Sequence, residues 1–278
     1  MQIPPISVLM CVCDGEKYLA QALESILKQT FNHFEFLIIE DGSSDRTREI
    51  LNFYSSKDFR IRVIENQTKL GLTRSLNHGL KIAKGKYIAR MDADDISLPD
   101  RFRMQFEFME RHPAVGVLGT ANILIDQKGK MVWKNIPPVE DHEIRKRLIK
   151  GNIFCHSSLM IKREVFENIG LYNESYKVAQ DYEIYFRISP HFQLSNLNQI
   201  LHAWRVHERG TSVQKRWEQI FATLKIQIHS IWIGQYSYLN LIYLARSFFV
   251  LLTPVSIKRI IKKILRVVTF GIWYKNIF

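Results

Sequence analysis

Apolar and polar positions alternate along the first hundred residues in a repeated strand-then-helix pattern. Residues 6–12 are an apolar run of strand length, and residues 16–28 then place Leu19, Leu23, Ile26 and Leu27 at helical spacing. Residues 34–39 give a second strand. It ends in Glu40-Asp41-Gly42-Ser43-Ser44-Asp45-Arg46-Thr47, ahead of another helical stretch. A third strand is predicted at 61–64, a helix at 72–84 and a fourth strand at 86–91. Strands alternating with helices predict an α/β fold, a mostly parallel sheet flanked by helices and joined by right-handed crossovers. The loops that follow the strands then gather along one edge, where such sheets bind ligands, and this brings residues 11–14, 40–43 and 92–95 together.

The second half of the chain is less regular. Two apolar segments between Val115 and Trp133 flank Asp126-Gln-Lys-Gly-Lys130, a hairpin signature. Arg145, Lys146, Arg147 and Lys150 follow on a predicted helix, as a solvated face first and a phosphate contact second. Residues 154–161 predict a strand, and 162–169 a short helix closed by Gly170. Ile184, Tyr185 and Ile188 set a further helix with Asp181 near its start, and residues 197–201 are strand-like. The character changes from Ile220 onward. The apolar run 239–252 is interrupted by Asn240 and Arg246 and falls short of a spanning segment. Beyond it, Ile257, Ile260, Ile261, Ile264, Leu265 and Val268 face one way on a helical wheel, with Lys258, Arg259, Lys262, Lys263 and Arg266 on the other side. Such a helix either lies in an anionic membrane surface, with Phe270, Trp273 and Tyr274 as interfacial aromatics, or packs on protein.

Charge sharpens this division. The net charge is +12, yet eight of the 39 Lys and Arg and none of the 27 Asp and Glu lie after Glu218, so residues 1–218 carry only +4. A polyanionic partner is therefore expected at one end of the chain rather than over its whole surface, and no basic-aromatic pattern for reading nucleic acid is present. The three cysteines, Cys11, Cys13 and Cys155, lack metal-site spacing and suggest a reducing compartment. The N-terminus shows no basic stretch followed by an apolar core, which places the protein on the cytosolic side as an expectation.

Three places carry candidate chemistry. The strand 86–91 runs into Asp92-Ala-Asp-Asp95. Asp92 and Asp94 point to one side if the backbone there stays extended, and two such carboxylates suit a hard cation, Mg²⁺ or Mn²⁺, shared with a diphosphate. The alternative is a plain helix entry, with Ser97 as cap and Pro99 as the first residue of a helix over 99–111. Asp41, beside the turn-forming Gly42, either caps the next helix or accepts a hydrogen bond from a ligand NH such as a pyrimidine imide. Asp181 at a helix start would be held ionised by the macrodipole, as a general base requires, or would be a first-turn acid without chemistry. Glu183 is the weaker candidate.

Together these segments carry a resemblance. The residues from Ser7 to Leu19, the run Glu40-Asp-Gly-Ser-Ser-Asp-Arg-Thr47, the run from Gly71 to Leu80 with Arg74, and Ala89-Arg-Met-Asp-Ala-Asp-Asp-Ile-Ser-Leu-Pro-Asp-Arg-Phe102 resemble, in order and spacing, family 2 glycosyltransferases, inverting enzymes of the GT-A fold. The resemblance implies a nucleotide-sugar donor, most often a UDP-sugar. It implies Asp41 on the uracil, Arg74 near the nucleotide, Asp92 facing the ribose or the metal, Asp94 as metal ligand and Asp181 as catalytic base, with Gln180 standing where the family usually has Glu. Cys11 and Cys13-Asp14 replace the usual Pro and Tyr-Asn, so Cys11 joins the donor-facing residues. His207 corresponds to a His that closes over the diphosphate or completes the metal site, and His156 stands near the acceptor side.

The organisation that follows is a GT-A-like catalytic domain over 1–218, with a nucleotide-sugar half at 1–112 and an acceptor half at 113–218, and a basic amphipathic helical tail over 219–278. The expected activity is metal-dependent (Mn²⁺ or Mg²⁺) transfer of a sugar to a glycan or lipid-linked hydroxyl, in bacterial surface polysaccharide assembly, on the inner face of the cell membrane. A nucleotidyltransferase, or a silent nucleotide- or lipid-binding scaffold, is the alternative reading.

Overall fold

The computed structural model describes residues 3–208 and 210–244. The chain divides into two compact units, Met1–Leu148 with Asn152–Val206 and Ile149–Gly151 with His207–Phe278.

The first unit opens with the predicted alternation: β1 (Ile6–Val12), α1 (Leu19–Leu27), β2 (Phe34–Glu40), α2 (Thr47–Ser55), β3 (Ile61–Glu65), α3 (Leu72–Ile82) and β4 (Tyr87–Asp92). β5 (Ile96–Ser97), α4 (Arg101–Arg111), the hairpin β6 (Val115–Ile125) and β7 (Met131–Asn135), α5 (Asp141–Leu148), β8 (Met160–Lys162), α6 (Arg163–Ile169), α7 (Gln180–Ile188) and β9 (Gln193–Arg205) complete it. The strands form one nine-stranded sheet in the order β3-β2-β1-β4-β8-β6-β9-β5, with β7 added on β6. Pairing is parallel from β3 to β4 and again between β6 and β9, so most of the ladder is parallel. β8 enters antiparallel between β4 and β6 and joins the two halves.

Strand alternation builds the core. Ile6, Val8 and Met10 of β1, Phe36 and Ile38 of β2, and Tyr87, Ala89 and Met91 of β4 share one cluster with Leu19, Leu23 and Ile26 of α1 and Phe102 and Met109 of α4. Completely burying side chains of this size stabilises by about 1.5–3 kcal/mol each. The opposite face of β1 and β2 receives α3. There Gly79 allows close approach, because a Cβ would meet the Leu9 side chain and force it to move, and would crowd Ile39. Every residue of β1 is buried, as expected for a central parallel strand covered on both faces.

Two local expectations fail. Ser97 is not a helix cap: its amide bonds Ser25 Oγ at 3.1 Å and it pairs with His202 in β5, while α4 begins only at Arg101 after Asp100. The carbonyl of Pro99 is taken by the Thr30 amide at 2.9 Å, which holds this stretch against the end of α1 instead of letting it wind. Residues 154–161 are not one strand, because His156–Ser158 form a 3₁₀ turn and only Met160–Lys162 pair. Ser158 Oγ folds back onto the Cys155 carbonyl at 2.9 Å, the local competition with a ladder that serine offers.

The second unit contains α8 (Thr211–Gln214) and α9 (Arg216–Trp232), then a 3₁₀ turn at Tyr238–Asn240. Its own packing includes Gln227 Nε2 donating to the Ile149 carbonyl at 2.7 Å. Among the described residues no helix is long and apolar enough to cross a membrane. The predicted amphipathic helix from Ile257 to Val268 lies outside the described residues.

Candidate active site

The carboxyl ends of β1, β2 and β4 lie side by side, with Cys11 opposite Asp92 and Val12 opposite Glu40 in the two ladders. β4 stops at Asp92, and a turn, not continued strand alternation, then brings the carboxylates together. The Asp95 amide approaches the Asp92 carbonyl at 3.4 Å, and carboxylate oxygens of Asp92, Asp94 and Asp95 all fall within 4.8 Å of one another.

These three acids have different surroundings. Asp95 is wholly buried: Oδ1 accepts the Arg205 amide at 2.8 Å, and Oδ2 accepts Ser157 Oγ and His202 Nε2, the latter at 2.9 Å. Burial, with the nearby charge of Asp92, pushes Asp95 up to about 7. Burial and the charge of Arg101 hold His202 far below the ordinary imidazole range, so it faces Asp95 as a neutral ring. Asp92 and Asp94 stand at the rim, half-buried. Asp92 Oδ1 is gripped by the guanidinium of Arg90, itself buried in β4 and also donating to the Met91 carbonyl. The Asp94 carbonyl accepts Arg205 Nε at 2.8 Å. Oxygen-only donors converging at this spacing fit a hard divalent cation such as Mg²⁺ or Mn²⁺. Asp92 and Asp94 would hold it, since the oxygens of Asp95 are committed elsewhere.

Asp41 lies at the same edge, buried, just after β2. Its Oδ1 accepts Asn66 Nδ2 at 2.9 Å and the Leu70 amide at 2.7 Å, and its Oδ2 accepts the Gly71 amide at 2.8 Å. The carboxylate thus closes the 66–71 loop over the strand end, while Gly42 takes the left-handed backbone (φ +70°) that the turn predicts. Cys11 is a buried free thiol pushed up to about 12 by burial, which leaves it a neutral, apolar lining group. Arg74 projects from α3 to Glu174, Nε to Oε2 3.3 Å, and with Asn77, His78 and Lys81 lines a groove of about 340 Å³. His207 belongs to the second unit, where its carbonyl accepts the Gly210 amide.

Asp181 sits in the first turn of α7, preceded by Ala179 in left-handed backbone (φ 57°). Its Oδ2 accepts Asn152 Nδ2 at 2.7 Å. Position is as expected, but the direction of the carboxyl shift is not. Burial raises the Asp181 carboxyl, outweighing the Asn152 amide and the first-turn N–H groups, and the charge of Asp92 raises it a little further. The macrodipole therefore loses to desolvation here. Glu183 instead pairs with Arg187, Nε to Oε1 2.8 Å, and ties α7 to itself. Beside this site His156 Nε2 meets the Tyr172 hydroxyl at 2.9 Å, and burial keeps the imidazole neutral.

Several of these residues escaped sequence reasoning. Arg90 had a signal: a charge inside an apolar strand needs a partner, and Asp92 lies on the same face two positions on. Asn152, Ser157 and His202 had none, since each meets its carboxylate across 29 to 107 positions of chain.

Residues 7–170 match the family model described as glycosyl transferase family 2. An uncharacterized glycosyltransferase of Methanocaldococcus jannaschii is 31% identical over 274 residues, covering 94% of this chain and 93% of that protein. The O-antigen biosynthesis glycosyltransferase WbnJ of Escherichia coli is 32% identical, covering 74% and 81%. Among solved structures, S. aureus TarS 1–349 in complex with UDP aligns with a TM-score of 0.67 at 19% identity, covering 90% of this chain and 76% of that one. A mannosyltransferase of Pyrobaculum calidifontis in complex with GDP-Man and Mn²⁺ aligns at 0.65 and 14% identity, covering 97% and 82%. The fold is the GT-A type expected from the sequence.

Proposed function

The chain belongs to glycosyl transferase family 2, and from that premise we propose that it moves a sugar, with inversion, from a uridine diphosphate sugar to a hydroxyl of a glycan or lipid-linked acceptor in surface polysaccharide assembly. The relative named for O-antigen biosynthesis supports that context, and the neighbour holding UDP supports the nucleotide. The neighbour holding Mn²⁺ supports a cation on Asp92 and Asp94, which when bound would neutralise charge developing on the leaving diphosphate. Residues 1–112 supply the donor side and 113–218 the acceptor side. The basic residues after Glu218 favour attachment to the inner face of an anionic membrane.

Asp181 is the general base. Ionised, it takes the proton of the acceptor hydroxyl as that oxygen attacks the anomeric carbon. Its burial makes it a stronger base than an exposed carboxylate. Asn152 orients it by holding Oδ2. Arg90 fixes Asp92, and Asp41 keeps the 66–71 loop closed beside the base of the nucleotide. The observation that carries this reading is the convergence of carboxylate oxygens of Asp92, Asp94 and Asp95 within 4.8 Å at the carboxyl edge of the sheet, which supports a cation-holding loop there. Calorimetric titration of UDP with Mn²⁺ tests it: binding is expected for the wild type and lost with chelator or in Asp94→Ala. Equal UDP binding with and without metal would overturn the metal assignment.

A further inference from the structure

The hairpin of β6 and β7 carries features that neither the donor site nor the core uses. β7 pairs only with β6 among the described residues and is an edge strand. Its length exposes Met131 (50%), Val132 (47%) and, just beyond it, Ile136 (59%) to solvent. Ile125 faces Met131 and Leu124 faces Trp133, so Val132 is an extra residue at a bulge in this edge, and both Met131 and Val132 present apolar groups to solvent there. Lys128, Lys130 and Lys134 are interleaved with them and exposed. The one acid in the turn, Asp126, is turned inward, with Oδ1 accepting the amides of Lys128 and Lys130 at 2.9 Å each. The rim of the hairpin is therefore cationic.

The hairpin is also tied to the acidic loop. The Arg205 guanidinium donates Nε to the Asp94 carbonyl at 2.8 Å and Nη1 to the Asp126 carbonyl at 3.3 Å. One rigid, planar group thus joins the start of the turn to the loop proposed to hold the cation.

The geometry points to the β6–β7 hairpin as a membrane-seating element that inserts Met131, Val132 and Ile136 among the headgroups of an anionic bilayer while Lys128, Lys130 and Lys134 contact lipid phosphates. Charge complementarity selects an anionic surface. The aliphatic side chains select a lipid interface over a soluble polyanion, which would leave them in water. Lys134 on the exposed edge strand, with Lys128 and Lys130 in the turn leading into it, opposes pairing with a second copy of the same strand. Through Arg205, seating the hairpin brings the donor-site loop to the bilayer, where a lipid-linked hydroxyl is presented. The inference extends the lipid-acceptor reading but is measured without turnover.

The test is co-sedimentation of the full chain with vesicles of phosphatidylglycerol and phosphatidylcholine, and with phosphatidylcholine alone. The wild type is expected to prefer the anionic vesicles. The triple variant Lys128→Glu, Lys130→Glu, Lys134→Glu should lower the partition coefficient by about tenfold or more. The variant Met131→Ser, Val132→Ser, Ile136→Ser should lower it by about tenfold as well. Retained UDP binding by both variants reports an intact donor site, and so separates failure of this proposal from failure of the glycosyl-transfer reading. Variants that partition like the wild type, or equal wild-type binding to both vesicle types, would overturn the proposal. So would heparin binding that matches vesicle binding and ignores the serine variant, or a wild-type dimer that the glutamate variant dissociates.

Discussion

The acidic loop after β4 and the start of α7 each display carboxylates, and the partners that meet them differ. Asp92 leans on a buried guanidinium, and Asp95 is met by a hydroxyl, an imidazole and a backbone amide. Asp181 has one side-chain donor, the Asn152 amide, in a setting that burial makes hostile to charge. In the first region the rim carboxylate of Asp92 is fixed by the guanidinium of Arg90, while burial pushes the enclosed Asp95 up to about 7. The second makes ionisation costly, so its carboxylate gains by taking up a proton. Surroundings, not residue type, separate the holding of charge from the transfer of a proton.

Removing the carboxylate from the second region should break this contrast most severely. Asp181→Asn keeps shape and a polar group but cannot accept the acceptor's proton. Sugar transfer is expected to fall about 10³-fold while metal-dependent UDP binding stays within twofold, as measured by transfer assay and calorimetry. The sign of the stability change follows from the raised carboxyl. The folded state holds that proton more tightly than the unfolded chain, so folding loses stability as pH rises through the folded value. Asn removes the cost, and the variant should melt at or above the wild-type temperature at pH 8. Full transfer activity would refute the base assignment.

The two regions were not equally legible in the sequence. Strand alternation in β1, β2 and β4, with polar residues breaking each run, fixes the carboxyl edge, and Asp41 and Asp92 land on it because a strand end is a local property. Asp181 was placed by helix periodicity alone, yet its carboxyl is shifted in the direction opposite to the one the macrodipole predicts, because desolvation depends on what packs over a residue from far along the chain. The strand expected at 154–161 fails for a related reason: Ser157 is drawn to Asp95, a partner 62 positions away, and residues 156–158 turn to reach it. The hairpin at Asp126 was readable because its turn closes within five residues, with the Asp126 amide donating to the Lys130 carbonyl at 2.9 Å.

In the first region, Arg90→Leu would sharpen the comparison by removing the buried cation that pairs with Asp92. Asp92 would lose its ion pair, and the carbonyls of Leu9 and Met91 would lose a donor. Because Asp92 is one-third exposed, solvent recovers part of the loss, and the expected destabilisation is about 2–3 kcal/mol, read from urea midpoints. Metal-dependent UDP affinity should fall as well, since Asp92 is no longer held in place. A variant as stable as wild type would show that Arg90 adds no net stability to the strand.

The mildest change is the most discriminating. Asn152→Ala removes the side-chain donor to Asp181 and leaves the carboxylate itself. Burial already raises this group, and the Asn152 amide is among the contacts that pull it back down, so deleting the amide raises it further. Transfer requires the ionised form, and therefore the rate falls as pH drops through the carboxyl's value. The acid limb of the kcat/KM profile should move to higher pH in the variant, with a loss of about tenfold below the limb and much less on the plateau above it. A purely structural role for Asn152 would depress the profile equally at every pH. A shift of the limb alone therefore ties Asn152 to the proton on Asp181, and a uniform loss assigns it to packing.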